Sequence, residues 1–168
     1  LADGWLPVFF MPDKFEQVWG AALKKGSAKR SPSLKPLEIS AGGLLAIDES
    51  LVGEAKDKVL DMARQNVALY VGGMGARGKN FYNDICKAYG YEQEAVEIQD
   101  LYLDGKKQEA AAKIPADWLL NSHLVGPKSF IKERLAAYKE SGVTVLQVNP
   151  IGPDPVGQIE KLRSIIDA

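Results

Sequence analysis

Apolar positions form three strand-like runs along the chain. The first covers Trp5–Phe10, the second covers Leu37–Ile47 with a Gly-Gly interruption, and the third covers Val143–Val148, which is rich in β-branched residues. The apolar positions of these runs are continuous and do not alternate cleanly with polar ones, which indicates strands that are covered on both faces. Such strands are typical of the parallel sheets of α/β proteins.

Helical periodicity fills the intervals between the strand-like runs. Apolar residues recur at three- and four-residue steps over Val52–Val67, Ile131–Tyr138 and Val156–Ile166. Pro127 suits a first helical position, and Gly142 supplies a C-terminal stop before the third strand. The resulting order of strands and helices predicts right-handed βαβ crossovers and a parallel sheet.

The interval between the second and third strands is too long for a single crossover helix. It runs from Ser50 to Gly142, so we expect it to hold an insertion. Three strands are few for a covered parallel sheet, and the first apolar strand begins almost at the first residue. We therefore expect a partial domain, whose open strand edges pair with a missing half of the fold or with a second copy of the chain.

Composition and charge exclude several classes of function. The 168 residues carry 21 Lys and Arg against 22 Asp and Glu, a formal net charge of −1, which provides no field to attract nucleic acid or an anionic membrane. No apolar run approaches the ~20 residues that span a bilayer. The one cysteine, Cys86, excludes an intrachain disulfide and fits a cytoplasmic protein, and the one histidine, His123, excludes a histidine-based metal site.

A glycine-rich segment gives the sharpest local signal. Gly73–Lys79 fits the pattern G-x-x-x-x-G-K of a phosphate-binding loop. That loop requires a Ser or Thr next, to bind magnesium, and Asn80 stands there instead. The preceding Val67–Val71 also continues a helical stripe, where the loop needs a strand. Three interpretations stay open: a nucleotide-binding loop, a surface turn after a helix, and a mobile loop whose Arg77, Lys79 and backbone N–H groups meet an anionic ligand.

The carboxyl ends of the predicted strands are the expected place for a ligand, because sites of parallel barrels form there. Aromatic and methionine side chains at Phe9–Met11 suit a flat, apolar ring. Asp48 and Glu49 follow the second strand and are adjacent carboxylates before a helix. Gly126–Lys128 opens a helix whose free N–H groups could hold an anion, although ordinary capping is the favoured explanation.

Several strings carry a family resemblance along nearly the whole chain. They are Ala2–Pro7, Ala68–Gly75, Asn80–Asp84, Ile98–Lys106 and Gly126–Thr144, in that order. The first resembles the sixth-strand entry of the bacterial luciferase-like monooxygenase superfamily. The others resemble its branch of oxidoreductases that use the deazaflavin coenzyme F420.

The resemblance implies the fold and the boundaries. The family fold is a (β/α)8 TIM barrel with an insertion after strand seven, so residues 1–168 would be a single partial barrel domain. It would supply the sixth to eighth strands, with a helical insertion at residues 70–122. Asn80 fits the family string, which makes the phosphate-loop match coincidental.

The resemblance also implies hydride transfer between F420 and a small organic substrate, in a cytoplasmic homo-oligomer that binds no metal, membrane or nucleic acid. An FMN-dependent luciferase-like monooxygenase, a nucleotide-binding protein using Gly73–Lys79 and a non-catalytic fragment are the alternatives. The full-length protein would be the active enzyme, and this chain alone would be inactive. No catalytic acid or base is identified. The candidates for contact with the cofactor are Phe9, Phe10, Met11, Tyr70, Gly72, Gly73 and Arg77.

Overall fold

The computed structural model describes residues 2–168, and the strands assigned among them pair in parallel. The strands are β1 Gly4–Trp5, β2 Glu38–Ala41, β3 Leu44–Ile47, β4 Leu124–Gly126, β5 Val145–Leu146 and β6 Asn149–Pro150. The helices are α1 Ala21–Ser27, α2 Gly53–Ala68, α3 Phe81–Ala88, α4 Glu92–Leu103, α5 Lys107–Ala112, α6 Ala116–Ser122, α7 Lys128–Glu140 and α8 Pro155–Ile166. A 3-10 helix covers Pro12–Lys14, and π-helical turns cover Glu16–Gly20 and Leu69–Gly73. The predicted α/β class with parallel strands is confirmed.

The strands form two three-stranded parallel groups, in the orders β1-β2-β5 and β4-β3-β6. Only Gly42 and Gly43 separate β2 from β3, and β5 and β6 run alongside them. Ala41 lies opposite Leu146, and Leu45 lies opposite Pro150. The pair 38–47 and 145–150 is therefore one long parallel ladder that is interrupted at the two glycines.

The first predicted strand is wrong beyond Trp5. The chain leaves the sheet at Leu6, where Pro7 provides no N–H for a ladder. Phe9 then adopts a left-handed conformation with φ of 56°, which is incompatible with a strand. The expected strand Trp5–Phe10 is thus reduced to Gly4–Trp5.

The third predicted strand extends further than expected, and one strand was not predicted. Pro150 is tolerated in β6 because the ladder uses its neighbours: Asn149 N–H donates to Gly43 O at 2.9 Å and Ile151 N–H to Leu45 O at 3.0 Å. The additional strand β4 pairs with β3 in parallel, Val125 opposite Ala46. Its three residues carry no periodicity that would distinguish a strand from a helix start.

The chain divides into two compact units, the second comprising Asp57–Leu119. The first comprises the chain up to Lys56 together with Leu120–Ala168, and its core lies between the strands and helices α7 and α8. The ring of Phe10 stacks on Tyr138 with centroids 6.2 Å apart and lies 5.1 Å from Phe15. The buried residues of this core are Phe10, Ile39, Ala41, Leu45, Ile47, Leu124, Ile131, Tyr138, Leu162 and Ile165.

The second unit, Asp57–Leu119, is built from helices joined by loops and contains no strand. Trp118 is fully buried in it and packs edge-on against Tyr89, with ring centroids 5.7 Å apart. The hydroxyl of Tyr91 donates to Asp117 Oδ2 at 2.5 Å. Burial, together with the carboxylate of Asp117, raises the pKa of Tyr91 well above its usual range. Cys86 is a free thiol buried in the same unit. Across residues 2–168, no helix combines the length and apolar character required to cross a membrane.

Candidate functional site

The segment Phe9–Met11 lies at the carboxyl end of β1 in the first unit. Phe10 is 3% exposed and Met11 is fully buried, so both side chains belong to the core. Phe9 is half-buried and is the non-glycine residue with positive φ among residues 2–168. A bulky residue in that conformation is strained, and such strain concentrates at functional sites. Phe9 is therefore the member of this segment that has surface to offer a ligand.

The two carboxylates that follow β3 are hydrogen-bonded to neighbouring groups of the chain. Asp48 Oδ1 accepts the hydroxyl of Ser50 at 2.6 Å and its N–H at 2.9 Å, and these bonds hold the pKa of Asp48 below its usual value. Glu49 Oε1 accepts the N–H of Lys128 at 3.1 Å, at the start of α7. The helix start that could have held an anion is thus capped by Glu49.

The backbone of Ile47, the last residue of β3, is satisfied by α8. Gln158 Oε1 accepts the N–H of Ile47 at 2.6 Å, and Lys161 Nζ donates to its carbonyl at 3.2 Å. The two side chains lie one turn apart on the same face of α8, so both reach Ile47. They make the two backbone hydrogen bonds that a neighbouring strand would otherwise make with this residue.

The ring of His123 packs against Gly43, the second of the two glycines between β2 and β3. Its Nδ1 accepts the N–H of Leu44 at 3.2 Å, which places the imidazole proton on Nε2. A Cβ on Gly43 would overlap this ring, so glycine is required there. Burial lowers the pKa of His123 to about 4, against a smaller opposing effect of the Ser122 backbone. The side chain therefore has a structural role between the two strands.

The titration of His123 predicts a loss of stability in acid. Its pKa falls from about 6.5 in the unfolded chain to about 4 in the folded one. The neutral form therefore stabilises the folded state above pH 6.5, and that contribution is lost as the pH falls toward 4, by up to about 3 kcal/mol. Urea unfolding at pH 5.0 and 6.5 measures the first part of the loss. His123→Asn keeps an acceptor without this titration, and an equal loss in that variant would contradict the assignment.

Close packing explains two glycines of the second unit, Gly72 and Gly73. A Cβ on Gly72 or Gly73 would overlap the ring of Tyr102 on α4. The segment before the glycine-rich loop is the π-helical turn Leu69–Gly73, which continues α2. A phosphate-binding loop requires a strand at that place, so the nucleotide-binding interpretation of Gly73–Lys79 is wrong.

Asn80 closes the glycine-rich loop. It is 2% exposed, and its Oδ1 accepts the N–H of Tyr82 at 3.0 Å and of Asn83 at 3.3 Å, capping α3. Its Nδ2 donates to Tyr70 O at 3.0 Å and Val71 O at 2.9 Å, two carbonyls of the π-helical turn. Only an amide side chain supplies these donors and acceptors together, which explains why a Ser or Thr is absent.

The cations of the loop differ in their surroundings. Arg77 Nε donates to Asp100 Oδ1 at 2.6 Å, and both side chains are more than half exposed, at 58% and 51%. Lys79 is exposed and has no carboxylate within 4.0 Å among the residues that the structure describes. Lys79 is therefore freer than Arg77 to meet an anionic ligand, although only Arg77 is among the seven predicted contact residues.

An aromatic group borders the same loop. The ring of Tyr70 meets that of Tyr82 edge-on at 4.8 Å, and Tyr82 meets Phe81 at 5.6 Å. Phe81 is 62% exposed although it is fully apolar. The exposed ring is a candidate contact that the sequence analysis did not name.

The seven predicted contact residues are divided between the two units, and their role stays a prediction. Phe9, Phe10 and Met11 are adjacent in the first unit, while Tyr70, Gly72, Gly73 and Arg77 lie within the loop region of the second. Among residues 2–168, no group of three or more His, Cys, Asp or Glu side chains is placed to hold a metal ion.

A family comparison identifies the class of protein. The luciferase-like monooxygenase family model matches residues 1–145, and the chain belongs to that family. The resemblance drawn from the sequence strings is confirmed at this level.

Two individual relatives carry related names. A Mycobacterium tuberculosis protein, provisionally named a coenzyme F420-dependent oxidoreductase, is 30% identical over 98% of this chain and 45% of its own length. The solved coenzyme F420-dependent tetrahydromethanopterin reductase from Methanopyrus kandleri superposes with a TM-score of 0.66 at 22% identity, over 96% of this chain and 44% of the reductase. This likeness shows the α/β fold, and the chain spans slightly less than half the length of each relative.

Proposed function

We propose that the chain forms part of an F420-dependent oxidoreductase that transfers a hydride between the deazaflavin and a small organic substrate. Membership of the luciferase-like family supports the proposal, as do two relatives that are both named for coenzyme F420. On this basis we assign the strands to the sixth to eighth positions of a (β/α)8 barrel and residues 70–122 to a helical insertion. The observation that supports the proposal most directly is the match of the family model over residues 1–145.

The residue types present fit such a cofactor. A flat ring system with an anionic tail requires aromatic or apolar contacts and cations. In the first unit, Phe9 is half-buried at the carboxyl end of a strand. In the second unit, Tyr70 is half-buried, and Arg77 and Lys79 are exposed. The proposal assigns candidates to each unit separately.

The division of labour follows from the chemistry of the cofactor. When bound, the deazaflavin supplies the hydride chemistry itself, so the chain has to bind, orient and shield. In the first unit we assign ring contact to Phe9, whose apolar surface excludes water. Taken by itself, the second unit offers Tyr70 as an aromatic contact and Lys79 and Arg77 as cations for an anionic group. Phe10, Met11, Gly72 and Gly73 act indirectly, because their burial or lack of a side chain fixes the neighbouring backbone.

Titration of the full-length protein with F420 and, separately, with FMN tests the proposal. We expect F420 to raise the melting temperature and to lose fluorescence on binding, with FMN weaker. Lys79→Gln should weaken F420 binding by about tenfold or less, since it removes one exposed cation. Lys113→Gln is the matched control, because Lys113 is engaged by Glu97 at 2.7 Å in the same unit.

The competing outcomes separate the alternatives. Tight FMN binding without an F420 response would move the protein to the flavin-dependent members of the family. Magnesium-dependent ATP binding that Lys79→Ala abolishes would restore the nucleotide-binding alternative. If the protein bound F420, FMN and ATP not at all, the result would support the alternative of a non-catalytic fragment.

We also infer that the open edges of the sheet meet further strands. β1 and β5 are the outer strands of one group, and β4 and β6 those of the other. The partner would be the remaining half of the barrel or a second copy of the chain, within a cytoplasmic homo-oligomer that acts on a small molecule. Native mass spectrometry distinguishes these assemblies. An isolated monomer of this chain alone, stable in solution, would contradict the inference.

A further inference from the structure

Arg134 is a buried charge that joins three segments of the first unit. It lies on α7, and its side chain is 7% exposed. Its Nη1 donates to Asp13 Oδ2 at 2.7 Å and to Asn121 Oδ1 at 2.8 Å, and its Nη2 donates to Asp13 Oδ1 at 3.1 Å. The guanidinium therefore binds the carboxylate of Asp13 in a bidentate manner. It also binds Asn121 near the end of α6.

Burying this charge adds little net stability to the fold. Removing a guanidinium from water costs several kcal/mol, and apolar side chains of similar volume often replace a buried ion pair without loss. What a two-pronged pair provides in addition is geometry, because the planar fork fixes the direction of the carboxylate. The fixed carboxylate in turn fixes the backbone of the segment that carries Asp13.

The held part is the turn that follows Phe9–Met11. Asp13 is the middle residue of the 3-10 helix Pro12–Lys14, which begins directly after Met11. Phe9, four residues earlier, has φ of 56°. A bulky residue in the left-handed region is strained and persists only where its surroundings enforce that conformation.

The enforcement comes from both sides of the strained residue. Trp5 precedes it in β1, and the buried Phe10 and Met11 follow it in the core. Beyond them, the ion pair fixes the chain at Asp13. These anchors hold the chain on both sides of Phe9.

We propose that Arg134 is a positioning residue: through Asp13 it fixes the turn that presents Phe9 to the flat ring of a bound cofactor. This inference rests on the proposed function, since it assumes that the ring is that of F420. Arg134 touches no ligand in this account and acts only through the backbone between Asp13 and Phe9.

A double-mutant cycle tests this route. Phe9→Ala removes the ring contact, and Asp13→Asn removes the charge that Arg134 grips while keeping the shape of a side chain that is 43% exposed. We expect F420 affinity to fall about tenfold in Phe9→Ala and about fivefold in Asp13→Asn. The double variant should match Phe9→Ala alone, because Asp13 then has no ring left to position. Additive losses, or an Asp13→Asn variant of unchanged affinity, would overturn the proposal.

Two further variants separate positioning from folding. Arg134→Lys keeps the charge but not the two-pronged geometry, so it should lower affinity as Asp13→Asn does while the melting temperature stays close to that of the wild type. Asp167→Asn breaks the exposed Arg163–Asp167 pair at 2.7 Å in the same unit and should change neither quantity. A drop in melting temperature with unchanged affinity would show a structural role only.

A ligand-free measurement keeps this inference distinct from the proposed function. With fluorinated phenylalanine incorporated, and Phe9→Tyr used to assign the signal, Asp13→Asn should shift or broaden the fluorine resonance of Phe9. An unchanged resonance overturns the inference whatever F420 does. Absence of F420 binding by the wild type overturns the proposed function, and the resonance still decides whether Arg134 fixes the turn.

Discussion

Gly42→Ala is expected to destabilise the protein by more than about 3 kcal/mol, which lowers the melting temperature by roughly 6–12 °C. Gly42 has φ of 154°, and a Cβ there would overlap the backbone carbonyl of Gln147. The clash involves main chain on both sides, since Gln147 N–H donates to Ala41 O at 2.9 Å. No side-chain rotation can relieve it, so the ladder between 38–47 and 145–150 must separate locally. Thermal unfolding followed by circular dichroism measures the effect.

Gly26→Ala provides the control for this experiment. Gly26 lies in α1, and a Cβ there meets no atom within 4 Å. Alanine is a better helix former than glycine by about 1 kcal/mol, so this variant should be as stable as the wild type or more stable. If both variants melted together, the close approach of the two strands at Gly42 would be refuted.

Asn80→Ala is expected to cost about 3 kcal/mol, because one buried side chain makes four hydrogen bonds to the backbone. The substitution removes the cap of α3 and leaves the carbonyl of Tyr70 without the amide donor. Asn80→Thr keeps an oxygen for the cap but removes both donors, so it should be destabilised as well. Urea unfolding of the two variants against the wild type gives the loss directly.

Asn80→Thr also tests the chemistry of the loop, because it completes the G-x-x-x-x-G-K-T pattern. We expect no magnesium-dependent ATP binding, since the helix before the loop cannot supply the required geometry. Asn66→Ala is the control: Asn66 is an exposed asparagine on α2, and its loss should change stability by no more than about 0.5 kcal/mol. ATP binding gained by Asn80→Thr would show that the loop is a phosphate site after all.

Local pattern was sufficient for much of the fold. Continuous apolar runs located the ladder strands within Leu37–Ile47 and near Val143–Val148, and three- to four-residue periodicity located α2, α7 and α8. The strand β4 was missed because its three residues acquire their identity from pairing with β3, about 80 positions earlier in the chain. The length of the first strand was overestimated because the left-handed turn at Phe9 has no glycine or asparagine to signal it.

The functional residues were accessible to sequence only in part. Family strings led to the correct family, and Asn80 correctly argued against a phosphate loop. The glycines at 72 and 73 gave no indication of Tyr102, whose ring explains them. The pairing of Arg134 with Asp13 spans 121 positions, and the family string that contains Arg134 gives no indication of its partner. Such contacts depend on the tertiary fold, which no single window of sequence contains.

The two side chains of α8 that serve Ile47 have an evolutionary consequence. Gln158 and Lys161 stand on a helix surface, where substitution is usually tolerated, yet each completes the main-chain bonding of a strand more than 110 positions earlier. Mutational drift at these two sites is therefore constrained by a strand residue whose own side chain takes no part. In homologues, a change at either site should accompany a shifted or shortened strand end rather than a changed residue at 47.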